Sequence, residues 1–490
     1  MMTQLSKCAK WNLLAVMLLA LTVTTWEARA VGDSGEPERD RFLLLDSRII
    51  DATENARLTI GKARKHKGNP LFAEDKPWEK RFDNLYANVM YDEDQKIYKC
   101  WYSPFIVDDS AKGMTLAQRK ELAYDPPRER EMAICYATSK DGVTWVKPEL
   151  GITEYEGSKA TNILWRGVGE GGEHWEGPHG AGVFKDQRDP DPKRRYKAFL
   201  KADILSVAFS ADGIKWSEAI TCPEADSAGD THNNAFWAPT LKSYVGITRE
   251  WGGAFGRQVA RTSSPDFINW RKREIVLEGL DKRHQTYAMP VFYHAGVYLG
   301  LVAIHDQEAD RVWTELTWSP DTIKWRRVLP GTPLIPNSRK VGQYDWGCVY
   351  AAACPVFLDN EIRLYYGGSD GLHFGWRNGF FCLATLRPDG FAGYAQIQSN
   401  RPATITTIPM VHHKGTLRLS ADVGKKGHVK VRVLGDRDEL LAESELLYGN
   451  LTDQQVTWQN GFSLDQLGKR SAQLQFEFQG ATIYSFSFVE

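Results

Sequence analysis

Among the glutamates that stand beside a tryptophan are Glu176 in "HWEGPHG" and Glu250 in "TREWGG". An indole shields a neighbouring carboxyl from water and raises its pKa, which makes the group a proton donor near neutral pH. Two aspartates have different company. Asp83 in "RFDNLYAN" adjoins Asn84, whose amide can orient it or hold a sugar hydroxyl, and Asp230 opens "DTHNN". Glycosidic bond hydrolysis needs one carboxyl that donates a proton and a second that attacks or activates water. Glu250 is the first candidate for the donor and Glu176 its rival. Asp230 would stabilise positive charge on a sugar ring or orient a hydroxyl. The competing reading of Glu250 is an ion pair with Arg249 or another cation, and of Asp83 a turn hydrogen bond.

These residues are far apart along the chain, so the fold must bring them together. The segment "SADGIKW" at 210–216 shows how. It has relatives in "SKDGVTW" at 139–145, "SSPDFINW" at 263–270 and "SPDTIKW" at 319–325, with a degraded copy, "LRPDGF", at 386–391. Ser139, Ser210, Ser263 and Ser319 recur about every 50 to 70 residues, a spacing typical of blades or stacked units. Each copy follows a strand-like run such as "AICYAT" or "LSVAF", and two more β-branched and aromatic runs lie upstream, separated by Asp, Gly, Pro and Asn turns. Three strands, the turn and an outer strand make one propeller blade, and five units predict five blades. In the turn, Ser and Asp bond the backbone while Trp packs between blades.

After about residue 398 the pattern becomes strict alternation, as in "HVKVRVLGD" and "AQLQFEFQG". That predicts strands with one buried face, hence a β-sandwich. The expected fold is all-β: a signal peptide over 1–30, a five-bladed β-propeller over 31–398 and a β-sandwich over 399–490. Lys7 and Lys10, the apolar run "WNLLAVMLLALTV" and small residues at Ala28 and Ala30 mark an export signal cleaved after Ala30.

A propeller brings the starts of its inner strands and the ends of its second strands to one rim. The first blade offers Arg81, Asp83 and Asn84 there. The second offers Glu176, His179 and Asp203; the third, Asp230, His232, Asn233, Arg249 and Glu250. The fourth contributes His284, Gln285, Tyr287, His305 and Asp306, and the fifth Asp345, Asp370 and His373. Those beyond the four carboxyls of the chemistry are candidates to bind substrate.

The layout resembles glycoside hydrolase family 32, with a sandwich similar in "TITTIPM", "GHVKVRVLGD" and "AQLQFEFQGATIYSFSF". The turns "SKDGVTW" and "SADGIKW" resemble those of families 32 and 43. The resemblance implies a base or nucleophile on the first inner strand, which points to Asp83, and an acid from a later blade. The family 32 catalytic signatures are not carried over: "NDPNG" is absent, no "EC" occurs, and the "RDP" of "QRDPDP" at 187–192 falls where a hairpin tip belongs. The chain is therefore read as a divergent relative.

Bulk properties agree with a carbohydrate-active protein. The net charge of −1, from 61 basic and 62 acidic residues, gives no electrostatic footprint for nucleic acid or an anionic membrane. Seventeen tryptophans supply flat surface for sheet cores or sugar rings. Cys100, Cys135, Cys222, Cys348, Cys354 and Cys382 show no metal-ligand spacing, so no metal or cofactor is expected. They read as buried thiols, with one or two disulfides open to an exported protein. The leading function is an exported glycosidase acting on a poly- or oligosaccharide. Its rival is a non-catalytic carbohydrate-binding propeller. A sialidase fits less well, because six blades and a Phe-Arg-Ile-Pro segment are missing.

Overall fold

The computed structural model describes residues 41–108, 118, 130–167, 177–411 and 415–489. The signal peptide with its Ala30 boundary, and Glu176, lie outside the described residues. All extended regular structure is β, and no described helix is long and apolar enough to cross a membrane.

Five antiparallel blades follow one another, the fourth and fifth joined into one sheet by a parallel pairing of Val312 with Cys348. The first contains Asn88–Asp92, Ile97–Tyr102, Ile134–Ser139 and Trp145–Val146. The second is built from His179–Lys185, Tyr196–Lys201, Leu205–Ser210 and Ile220–Thr221, and the third from Asn234–Ala238, Ser243–Gly252, Gly256–Ser264 and Glu274–Glu278. In the fourth and fifth, a break divides the inner strand, giving His284–Thr286 with Val291–His294 and Cys348–Ala351 with Val356–Phe357. Inner strands of the first four blades are neighbours in turn, Cys348–Ala351 of the fifth contacts the fourth's second strand, Val297–Asp306, and Val356–Phe357 returns to Asn88–Asp92, which closes a five-bladed ring. Near the axis there is no room for side chains between strands. At Gly180, with φ +57°, a Cβ would stand 1.6 Å from the Thr231 carbonyl oxygen, so only glycine fits.

The outer edge of the fifth blade comes from the front of the chain: Arg64–Lys65 and Phe72–Ala73 pair with Gly379–Leu386. Phe72 stacks on Phe381 at 4.6 Å.

The repeated turn is structural, as its sequence implies. Ser210 Oγ accepts from Gly213 N at 2.9 Å, and Asp212 Oδ1 accepts from Ile214 N and Lys215 N at 2.8 and 2.9 Å. In the third copy the equivalent serine is Ser264, one residue beyond Ser263, because Ser264 makes the bond to Asp266. The tryptophans fill the seams between blades: Trp145 packs edge-on against Phe381 at 5.3 Å, and Trp270 stacks on Phe199 at 4.7 Å. A second device, invisible as a motif, repeats beside it. Asp92 binds Lys99 and the next blade's Tyr196, and Asp186 likewise binds Lys197 and Tyr244. The "RDP" segment lies between the first two strands of the second blade, where Asp189 pairs with Lys197 at 2.8 Å.

The sandwich is one ten-stranded sheet that curls on itself around a single core. Its spine is a pair of long strands, Thr416–Leu434 and Ser471–Val489, whose register shifts between Val423 and His428. Such a bulge bends the sheet, so Leu417 and Leu419 share a core with Val429 and Val431. The sequence reading put residues 41–60 with the propeller. Arg41–Leu43, Ile50–Glu54 and Ala56–Ile60 instead pair with this sheet, because their partners Ser485–Ser487, Thr404–Thr407 and Ala392–Gln396 leave edges open to them. Asp389, in the degraded fifth turn, ties the two units together through Arg41 at 2.6 Å, Ser485 at 2.7 Å and His294 at 3.1 Å. Among the described residues, Cys100, Cys135, Cys222, Cys348 and Cys382 are buried, Cys354 is half-buried, and none of the six is in a disulfide.

Candidate active site

A cavity of about 260 Å³ opens at one end of the ring, lined by Asp83, Asn84, Tyr86, Phe105, Arg130, His179, Asp230, Trp251, Arg257, Tyr287, His373, Phe374 and Arg377. It lies at the low end of the roughly 300–1,000 Å³ common for small-molecule sites.

Its first-blade wall is a strained loop. Asp83, Leu85 and Tyr86 have φ of +54°, +63° and +43°, a region that costs non-glycine residues about 1–3 kcal/mol each. The surroundings hold the loop in place. Glu74 accepts from Phe82 N at 2.6 Å and Gly379 N at 3.0 Å, and Asn84 donates to Tyr86 Oη at 2.8 Å.

Both cavity carboxylates are ionised. Burial opposes the charge on Asp83, but Arg377, Arg81 and Arg130 more than offset it and hold the carboxyl below its ordinary value. Arg377 and Arg81 approach the same oxygen at 2.6 and 2.8 Å. Asp230 is desolvated too, yet Arg249 and His179, each at 3.1 Å, hold it well below the usual carboxylate range.

Apart from Arg257, the remaining wall is aromatic or neutral. Burial pushes the phenols of Tyr86, Tyr287 and Tyr350 up and the imidazole of His373 well down. His373 Nδ1 lies 3.0 Å from Tyr350 Oη and its ring is 4.4 Å from that of His305. Neutral phenol and imidazole groups can donate to or accept from sugar hydroxyls without altering the charge of the site.

Asp83, Asn84, His179, Asp230, Tyr287 and His373 thus meet as the propeller reading expects. Several others support from behind. Arg81 and Arg249 neutralise the aspartates, and Arg249 also donates to the Tyr287 carbonyl. His232, its pKa lowered by burial to about 3, packs on Tyr86, and His305 pairs with Asp310 at 3.0 Å. Asn233 bonds Gly229 and Thr231 carbonyls and accepts from Thr248, while Gln285 accepts from Arg257 at 3.0 Å.

Six expectations are corrected. Glu250 does not line the cavity: it pairs with Arg273 at 2.5 Å and accepts from Trp251 N, so the neighbouring indole does not serve to desolvate an acid. Asp345 is buried against Lys65 and Tyr366, Asp370 closes a turn onto Asn378, His284 caps its own hairpin through Asp281, and Asp203 is exposed at a hairpin tip. Asp306, in the same region, is held by Arg283. The rim rule chose strand ends, but turn geometry decides whether such an end faces inward.

Sequence reasoning did not select Tyr86, Phe105, Arg130, Arg257 or Phe374. Tyr86 stands two residues after Asn84, so its proximity was a usable signal. Arg257 sits at the start of a third strand and Arg130 at the start of a short strand paired with Phe105–Asp108, positions the rim rule omitted.

No protein-family model matches the sequence, and no curated protein matches it either. Solved structures do align with it. A glycosyl hydrolase from Bacteroides ovatus is 13% identical over 67% of this chain and 95% of its own, with a TM-score of 0.46. A structure from the GH130 family of mannoside phosphorylases, which contains glycoside hydrolases targeting β-1,2 mannosidic linkages in Candida mannan, aligns at 14% identity, 67% and 95% coverage and TM-score 0.45. An N-acetylgalactosamine deacetylase from F. plautii in complex with blood group B trisaccharide gives 14%, 67%, 95% and 0.44.

Proposed function

We propose that this chain is an exported glycosidase that binds a sugar at the propeller axis and cleaves a glycosidic bond there. One observation carries the reading: two ionised aspartates from different blades, Asp83 and Asp230, enter one cavity together with Asn84, His179 and Tyr287. Asp83, presented by the strained loop, is the base or nucleophile. Asp230, fixed by His179 and Arg249, stabilises charge on the ring or orients a hydroxyl. Neither can be the proton donor, since arginines hold both ionised. With Glu250 outside the cavity, Glu176 is left from the sequence as candidate for that role. The kinship to families 32 and 43 rests on blade turns and sandwich layout. Lys7, Lys10 and the apolar run before Ala30 support export.

A second reading has its own support. A cavity whose described carboxyls are all held in arginine pairs lacks the split pair of pKa values that two-carboxylate hydrolysis uses. A lectin-like propeller needs no such split. Assay of the mature protein on a broad panel of glycans and aryl glycosides, with binding followed by calorimetry, separates the two. Turnover that Asp83→Asn abolishes supports the enzyme; saturable binding without turnover supports the lectin.

A further inference from the structure

Four arginines of the site have been accounted for by the charge they balance or the field they exert at Asp83. Arg257 is different. It is 8% exposed, lines the cavity, and among the described residues has no carboxylate within ion-pair distance. Among the described residues its guanidinium makes one side-chain hydrogen bond, from Nη1 to Gln285, and its buried Nε has no acceptor. A guanidinium carries five N–H donors, and leaving them unmet in a buried place is costly. The neighbours add to the cost. Burial and the positive charge of Arg249 both press its pKa down.

The surroundings suit a sugar bearing an anion. Arg257 pairs across the hairpin with Trp251, whose ring centre is 4.7 Å from the guanidinium carbon, while the Tyr287 ring is at 5.1 Å. Trp251 is 47% exposed, an unusual position for an indole, and offers an apolar face at the cavity wall. A planar fork beside that face can take a carboxylate or sulfate in a bidentate way.

We propose that Arg257, flanked by Trp251 and Tyr287, is a subsite for the anionic substituent of a sugar, the carboxylate of a uronic acid or a sulfate ester. This deepens the carbohydrate reading and rests on it. The charge of Arg81, Arg249 and Arg377 is taken up by Asp83 and Asp230, which leaves Arg257 for an anion.

The test is calorimetric titration of the mature protein with galacturonic acid, galactose 6-sulfate, galactose and inorganic phosphate. The expected result is that one anionic sugar binds about 10- to 100-fold more tightly than galactose, the range for a charged hydrogen-bonded contact, and that inorganic phosphate binds far more weakly. Arg257→Met keeps the stem between the rings and removes the charge; it should erase the preference and leave galactose affinity in place. Equal affinity for galactose and both anionic sugars in the wild type overturns the proposal, whatever the variant does. Inorganic phosphate binding as tightly as the sugars overturns it too. The two readings fail separately. Arg257-dependent binding without turnover removes the hydrolase and keeps the subsite, whereas turnover of neutral glycosides with no anionic preference does the reverse.

Discussion

Arg377 Nη2 lies 2.6 Å from Asp83 Oδ1 and 2.8 Å from Asn84 Oδ1, so one guanidinium of the last blade grips two successive residues of the first. Removing it leaves Asp83 short of its nearest cation in a desolvated place. Arg377→Met is expected to cost about 3 kcal/mol, the low end for a broken buried pair because Arg81 remains. Asp83→Asn in the same chain should restore part of the loss. Urea denaturation of the two single variants and the double checks this, and strictly additive losses would refute the coupling.

Asp83→Asn and Asp230→Asn should differ on whichever glycoside proves to be a substrate. A base or nucleophile contributes at least about 10²–10⁴-fold, so Asp83→Asn should lower kcat by that factor or more. Asp230→Asn, which also frees Arg249 and His179, should raise KM as well. Glu250→Gln should leave kcat within a few-fold, since that side chain is engaged with Arg273. A large loss of kcat in Glu250→Gln would reverse the placement given above.

Glu74 supplies a pH signature. Burial is the main cause that pushes its carboxyl up to about 7, against the backbone bonds from Phe82 and Gly379. Unfolded glutamate titrates near 4.3, so between that value and about 7 the folded state holds a proton that the unfolded state has lost. The stability due to this group is complete below the window and declines as pH rises through it. Glu74→Gln keeps an acceptor for both N–H groups without the charge. Its unfolding free energy relative to wild type, from urea denaturation, should therefore improve from pH 5 to pH 8 by about 2–3 kcal/mol. A constant difference across that range would show that Glu74 does not titrate there.

Glycines of the same backbone class should not be equally replaceable. Gly213 has φ +77°, and a Cβ there would meet the buried Trp101 ring at 2.7 Å; that indole also donates to the Gly213 carbonyl at 2.7 Å. Gly151 has φ +69° and open space around it. Gly151→Ala should cost about 1 kcal/mol for backbone strain alone, and Gly213→Ala about 1–3 kcal/mol more for overpacking. Thermal unfolding of the pair separates strain from crowding.

The ring was legible because its turn is a local device: Ser210, Asp212 and Trp216 bond or pack within a few residues and one seam, and the chain repeats them. The sandwich was legible through its alternation. What escaped is non-local. Nothing in "GRQVART" announces that Arg257 would face Gln285 and the cavity, and nothing near Arg41 announces Ser487 as its partner. Glu250 was misplaced for a related reason. Adjacency to Trp251 says which side chain follows, but alternating strand residues point to opposite faces, so the neighbour need not shield it.

Because Phe72 and Ala73 complete a sheet whose other members lie some three hundred residues downstream, synthesis order and assembly order are at odds. Phe72–Ala73 is made well before Gly379–Leu386 and must wait, unpaired, until that strand exists. The same delay applies to Arg41–Leu43, whose partner is the last strand of all. Contacts of such reach are slow to form. Aromatic, strand-forming residues in both segments therefore stay uncovered until their distant partners have been made.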